Sequence, residues 1–212
     1  MPTIEGWSLW VHIAAGVVAV LAGTGAIVTE KGGQRHRQAG KLFLVSMGVV
    51  VGTVFVLLAL NPTSFRIILT LVAVFSGYLA FSGYRVLSRK RPAATPQRLD
   101  WIATGSVVLA CLGLGVWGIV WVVTGNSFGL VMLVFGGIGV TFGTIDIRAF
   151  QRDASDEWLV SHLQRMIAAF IATISAVSAV NLTPVLGILA WLWPTIVGTP
   201  LIYYWSKEHS TE

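Results

Sequence analysis

Seven long apolar segments, separated by short breaks, constrain this chain more than any other feature of its sequence. A helix that crosses a bilayer needs about 20 mostly apolar residues, and inside lipid its backbone polar groups must be satisfied within the segment. The sequence therefore predicts an all-α integral membrane bundle of seven transmembrane helices that forms a single domain, residues 1–212. The predicted spans are residues 7–28, 40–61, 65–87, 99–124, 127–150, 157–181 and 184–206.

The low charge content supports this interpretation. Only 11% of the residues are charged, whereas a soluble domain carries about 25%, so most of the surface is expected to face lipid. The net charge is +5, and the basic residues fall in the short gaps between apolar segments. This distribution is typical of a membrane protein. We therefore expect the lipid bilayer as the main partner and no binding of nucleic acid. The single cysteine, Cys111, excludes an intramolecular disulfide and a metal site built from cysteines.

The distribution of lysine and arginine predicts the orientation in the membrane. The connections on the predicted outer side, with their flanking turns, hold only one basic residue, Arg66. Arg165 lies inside the sixth segment, near its cytoplasmic start. Since cytoplasmic loops carry the excess of basic residues, we expect the N-terminus outside and the C-terminus inside. The basic residues of the cytoplasmic side are Lys31, Arg35, Arg37, Lys41, Arg85, Arg89, Lys90, Arg91, Arg98, Arg148, Arg152 and Lys207.

Asp146 and His162 are expected at the same depth near the cytoplasmic face. The fifth and sixth segments run antiparallel, and both residues are eight positions from the centre of their connection, near residue 154. A carboxylate within a span needs a partner, and we expect the two side chains within about 6 Å of each other. Arg148 or Arg165 would complete this polar network. The alternative is that these residues form a structural ion-pair network that holds the hairpin together.

His36 lies in the basic stretch "EKGGQRHRQAGK" (30–41), on the same predicted side. Together with Asp146 and His162 it could bind a transition metal, because imidazole and carboxylate suit zinc or iron. Arg35 and Arg37 would repel a cation, so the simpler role is that of an interfacial residue in a loop that sets topology. The placement of histidines on spans and near a basic loop also resembles that of cytochromes b. One haem is therefore the alternative cofactor.

Two further polar features lie elsewhere in the predicted bundle. His12 is near the outer end of the first span, on a face of small residues, so we expect it to be buried and to form a hydrogen bond across helices. Arg85 and Asp100 are mirror positions around the third connection and predict an interfacial ion pair. Gly139 and Gly143 allow close approach of helix backbones, within the bundle or in a homo-oligomer.

Three stretches carry a resemblance to a known family. They are "HIAAGVVAVLAGTGAIVTEKGGQRHRQAGKLF" (12–43), "WLVSHLQRMIAAFIATISAVSAVN" (158–181) and "WLWPTIVGTPLIYYW" (191–205). The chain resembles a group of bacterial predicted membrane proteins of unknown function, in which an H-x3-G helix leads to a K-G-G-x2-H-R-x2-G loop. The resemblance implies a small inner-membrane protein and assigns no activity to any residue.

Three functions therefore remain open. The first is a multi-pass inner-membrane protein with a His/Asp polar site near the cytoplasmic face that binds a metal ion or one haem. The second is a small-solute transporter or channel, and the third is a structural or assembly protein without a site. The sequence contains no nucleophile motif, phosphate-binding glycine loop or zinc-protease motif, so it indicates no enzyme class.

Overall fold

The structure is a computed structural model that describes residues 3–90, 95–152 and 158–209. These residues form seven α-helices and one 3-10 helix, and none of them lies in a β-strand, which confirms the predicted all-α class. The helices are α1 (Ile4–Val28), α2 (Gln34–Leu60), α3 (Ser64–Arg85), the 3-10 helix Val86–Lys90, α4 (Arg98–Val123), α5 (Phe128–Gln151), α6 (Trp158–Leu186) and α7 (Leu189–His209).

Six of the described helices are long and apolar enough to cross a membrane, namely α1 to α6, with the 3-10 helix counted together with α3. Large apolar side chains such as Leu21, Leu109 and Val116 are more than 60% exposed. Contiguous exposed apolar surface of this kind needs lipid around it, so the chain is a multi-pass helical membrane protein. The helix α7 corresponds to the seventh predicted span but falls outside this set, since its prolines, threonines, tryptophans and tyrosines lower its mean hydropathy.

The chain divides into two compact units, Met1–Gly77 and Tyr78–Glu212. In the N-terminal unit, α1 packs along α2. Thr3 caps α1 by accepting a hydrogen bond from the backbone N–H of Gly6 at 3.2 Å, and Glu5 in the first turn of α1 receives the Arg66 guanidinium at 2.6 Å. This ion pair joins the start of α1 to the start of α3.

The turn between α1 and α2 is held by Lys31. Its ammonium group donates hydrogen bonds to the carbonyl oxygens of Ala26, at 3.3 Å, and of Ile27. These carbonyls belong to the last turn of α1, where four acceptors lack partners within the helix. Partial burial lowers the pKa of Lys31. Gly32 follows with a φ of +77°, a left-handed conformation that glycine adopts without steric cost.

In the C-terminal unit, α4 and α5 pack closely through glycines. A Cβ atom on Gly136 would lie 2.8 Å from the carbonyl oxygen of Cys111, and one on Gly118 would lie 2.9 Å from the carbonyl oxygen of Gly129. Cys111 itself is 3% exposed. A Cβ on Gly143 would collide with Val108 of α4, so this predicted small residue is used for packing inside the unit.

The predicted break between the sixth and seventh spans is in the wrong place. Residues 182 and 183 lie inside α6, which continues past Pro184 to Leu186. The helix is followed by Gly187, whose φ is +55° and whose backbone N–H donates to the carbonyl oxygen of Thr183 at 2.9 Å. Proline lacks only one helix hydrogen bond and can be tolerated in a membrane helix, whereas a left-handed glycine terminates it.

Candidate functional site

The most buried charges of the described residues form an ion pair between α5 and α6. Asp146 is 1% exposed and Arg165 is 0% exposed. The Arg165 Nη2 atom donates to Asp146 Oδ1, and Nε lies 3.3 Å from Oδ2. The guanidinium therefore contacts both carboxylate oxygens. Arg165 Nη1 donates to the carbonyl oxygen of Ser161 at 3.2 Å. Arginine is suited to such a site because its planar fork matches a carboxylate and is always charged.

Two hydroxyl groups extend the ion pair toward α3 and α4. The Tyr78 hydroxyl donates to Asp146 Oδ2 at 2.5 Å, and Thr104 Oγ1 lies 3.0 Å from Tyr78 Oη. Since the Tyr78 proton points at the carboxylate, the Thr104 hydroxyl is the donor to the tyrosine oxygen. Both residues are buried. Thr104, Tyr78 and Asp146 therefore form a continuous chain of exchangeable protons that ends on the carboxylate.

A glycine at the end of α3 makes room for the arginine. A Cβ atom on Gly83 would lie 3.1 Å from the Cβ of Arg165 and 3.0 Å from the sulfur of Met166. The carbonyl oxygen of the same glycine is 2.7 Å from His162 Nδ1. These contacts bring the early part of α6, which carries Arg165, close to the end of α3.

The two remaining sequence-predicted residues of this network are His162 and Arg148. His162 is half-buried, with Gly83 as the partner of its Nδ1 atom, and its pairing with Asp146 stays a prediction. Arg148 is exposed, and among the described residues it has no carboxylate at ion-pair distance. Arg165 is the predicted arginine that the structure places against Asp146.

A narrow crevice leads to the polar cluster from the end where the 3-10 helix lies. Its volume is about 20 Å³, which is room for about one water molecule. Tyr78, Thr104 and Asp146, which are all buried, are among the residues that line it. A space of this size admits water and protons and excludes a haem.

Arg85 and Asp100 also line the crevice and form the predicted ion pair, which is confirmed. The Arg85 Nε atom is 2.7 Å from Asp100 Oδ1 and Nη2 is 2.9 Å from Oδ2, a bidentate arrangement. Asp100 also accepts the backbone N–H of Gln97 at 2.8 Å. The pair thereby fixes the start of α4 against the end of α3.

The two other histidine candidates belong to the N-terminal unit. His12 is half-buried, with its Nδ1 atom 2.9 Å from Thr53 Oγ1 of α2. His36 is in the first turn of α2 and not in a loop, and its Nδ1 donates to the carbonyl oxygen of Ala26 at 2.9 Å. Both rings connect α1 with α2. Among residues 3–90, 95–152 and 158–209, no three His, Cys, Asp or Glu side chains are grouped so that they could hold a metal ion.

Comparisons with protein-family models, curated proteins and solved structures found no match to this chain. The function must therefore be argued from the site itself.

Sequence reasoning missed Tyr78 and Thr104. Tyrosine is common at membrane interfaces, and threonine is common within spans, where its hydroxyl can bond the preceding turn. The available signal was depth, because Tyr78 is seven residues inside the end of α3 at Arg85. That places it about 10 Å below the helix end, too deep for an interfacial ring.

Proposed function

We propose that this chain is a membrane transport protein for a small ion or solute, and that its transport step uses proton transfer at Asp146. The observation that carries the proposal is the fully buried Asp146–Arg165 pair, whose carboxylate accepts a hydrogen bond from Tyr78 and lines a water-sized crevice together with it. Ionisable side chains inside membrane spans are costly, and they commonly mark ion pathways and proton relays.

Stability alone gives little reason for such a pair. The cost of removing two charges from water can exceed their attraction, and apolar replacements of similar volume are often neutral or stabilising. The neighbouring hydroxyls have a chemical use, because Thr104 and Tyr78 can pass a proton along their hydrogen bonds to the carboxylate. Protonation of Asp146 would remove its charge and release the Arg165 guanidinium. Proton uptake would thus be coupled to the contact between α5 and α6.

We further propose seven spans in a bacterial inner membrane, with the N-terminus outside and the C-terminus inside. The support is the excess of lysine and arginine in the first, third and fifth connections and in the C-terminal tail, as the rule for cytoplasmic loops requires. In this orientation the crevice and the 3-10 helix are at the cytoplasmic side. A metal or haem function has less support, because the described residues group no ligand set for a metal and the crevice is too small for a haem.

Proton flux into sealed vesicles tests the proposed function. Purified protein is reconstituted with a pH-sensitive dye inside, and acidification is followed after a potential is imposed with potassium and valinomycin. We expect wild-type protein to acidify the vesicles faster than protein-free vesicles. Asp146→Asn should abolish this excess rate because it removes the carboxylate that accepts the proton, and Tyr78→Phe should reduce it because it interrupts the hydroxyl chain.

Glu5→Gln is the matched control. It also removes a carboxylate from an arginine pair, with Arg66, but this pair is partly exposed and lies in the N-terminal unit. Its flux should equal that of wild type. A wild-type rate no higher than that of empty vesicles, or an unchanged rate in Asp146→Asn, would contradict the proposal.

A further inference from the structure

Arg89 differs from the other buried or half-buried arginines of the described residues. Arg66, Arg85 and Arg165 each contact a carboxylate. Arg89 is half-buried in the 3-10 helix, and none of the described carboxylates lies at ion-pair distance from it. Its guanidinium lies instead over the Phe150 ring, 5.2 Å from the ring centre.

Among the described residues that line the crevice, Arg89 is the charge without an ion-pair partner. Arg85 pairs with Asp100, and the remaining carboxylate of the lining, Asp146, pairs with Arg165. A half-buried guanidinium has lost part of its water and gains most from an anion that accepts two parallel hydrogen bonds. Phosphate offers this geometry.

Hydroxyl groups and aromatic rings complete the surroundings. Thr95 lines the same crevice as Arg89 and is exposed, and its hydroxyl makes no hydrogen bond to the described residues. Trp101 packs edge-on against Phe150 at 5.1 Å, and Lys90 lies 3.9 Å over the Trp158 ring. Tryptophans beside basic residues are typical of the level of lipid headgroups.

From this arrangement we infer that Arg89, with Thr95, binds the phosphate of an anionic phospholipid at the crevice mouth. The enclosed space is too small for a whole solute, so the ligand must lie mostly outside it, as a headgroup does. Phe150 packs against the guanidinium on the side opposite the ligand. Its ring thereby orients the planar N–H donors of Arg89. This inference concerns lipid binding and does not rest on the proposed transport.

Native mass spectrometry of the purified protein tests the inference. The full chain in detergent is titrated with phosphatidylglycerol, with phosphatidylcholine, or with inorganic phosphate as a competitor. We expect wild type to retain phosphatidylglycerol in preference to phosphatidylcholine. Arg89→Gln should weaken this binding by about fivefold or more, since one basic residue at a membrane surface contributes on the order of 1 kcal/mol.

Two further variants keep the result interpretable. Arg89→Lys retains the charge without the fork and should give intermediate affinity, which also guards against misfolding of the glutamine variant. Arg152→Gln removes an equal charge from an exposed position at the end of α5 and should bind like wild type. Equal binding by Arg89→Gln and wild type, an equal loss in Arg152→Gln, or displacement of the lipid by inorganic phosphate would each overturn the inference.

Discussion

Arg165 and Asp146 depend on each other, because either charge alone would remain buried without compensation. Arg165→Met keeps the length of the side chain and removes its charge, which leaves the Asp146 carboxylate with Tyr78 as its remaining side-chain donor. We expect a loss of about 3–5 kcal/mol in the free energy of unfolding. Denaturation in mixed micelles, followed by circular dichroism, measures it.

The double variant Arg165→Met with Asp146→Asn is the control for this prediction. It removes both charges, and the amide oxygen of the introduced asparagine still accepts a hydrogen bond from Tyr78. Most of the lost stability should return, because the cost in the single variant comes from the unpaired charge. If the double variant is as unstable as the single one, the side-chain shapes and not the charges hold α5 and α6 together.

The same residues show what the sequence could predict about the site. Mirror positions in a hairpin give the depth of a side chain, which is why Asp146 and His162 were expected at the same height. Depth does not give the direction in which a side chain points around its helix. The choice of Arg165 over Arg148, and the contribution of Tyr78 from a third helix, therefore required three-dimensional packing.

At the scale of the helices, α4 and α5 provide a test of close packing. Gly136→Ala would place a Cβ 2.8 Å from the carbonyl oxygen of Cys111. Overpacking of this kind typically costs about 1–3 kcal/mol. Gly137→Ala is the adjacent control in the same helix, since no atom lies within 4 Å of its new Cβ. It should be neutral or slightly stabilising because alanine favours helix over glycine.

Thermal unfolding of the Gly136→Ala and Gly137→Ala variants in detergent tests this prediction, because the midpoint of Gly136→Ala should be the lower of the two. Equal midpoints would show that α4 and α5 separate enough to admit a methyl group, which would contradict the packing described here.

Helix positions were largely predictable from the sequence, since an apolar stretch of sufficient length has few alternatives to a helix in lipid. Helix ends were less so. The sixth span was predicted to end at residue 181, but α6 continues past Pro184 to Leu186. Likewise α2 begins at Gln34, within the basic stretch, because polar residues can continue a helix beyond the apolar core of a span.

At the scale of the whole molecule, the orientation in the membrane is testable by reporter fusions. Fusions after residues 35, 92 and 154 should report the cytoplasmic side, and fusions after residues 63, 126 and 187 the outer side. A fusion after residue 209 should again be cytoplasmic if α7 crosses the membrane. An outer signal there, with the other six as expected, would leave six spans. An outer signal at residue 92 would contradict the proposed orientation.

The glycine contacts of α4 also have a practical consequence for chemical labelling. The chain has one cysteine, which is 3% exposed, and its backbone carbonyl lies at the contact between α4 and α5. A membrane-permeant maleimide can modify its sulfur only after the surrounding helices move apart. The unaltered sequence thus supplies its own reporter, and the rate of thiol modification would time this opening without any engineered label.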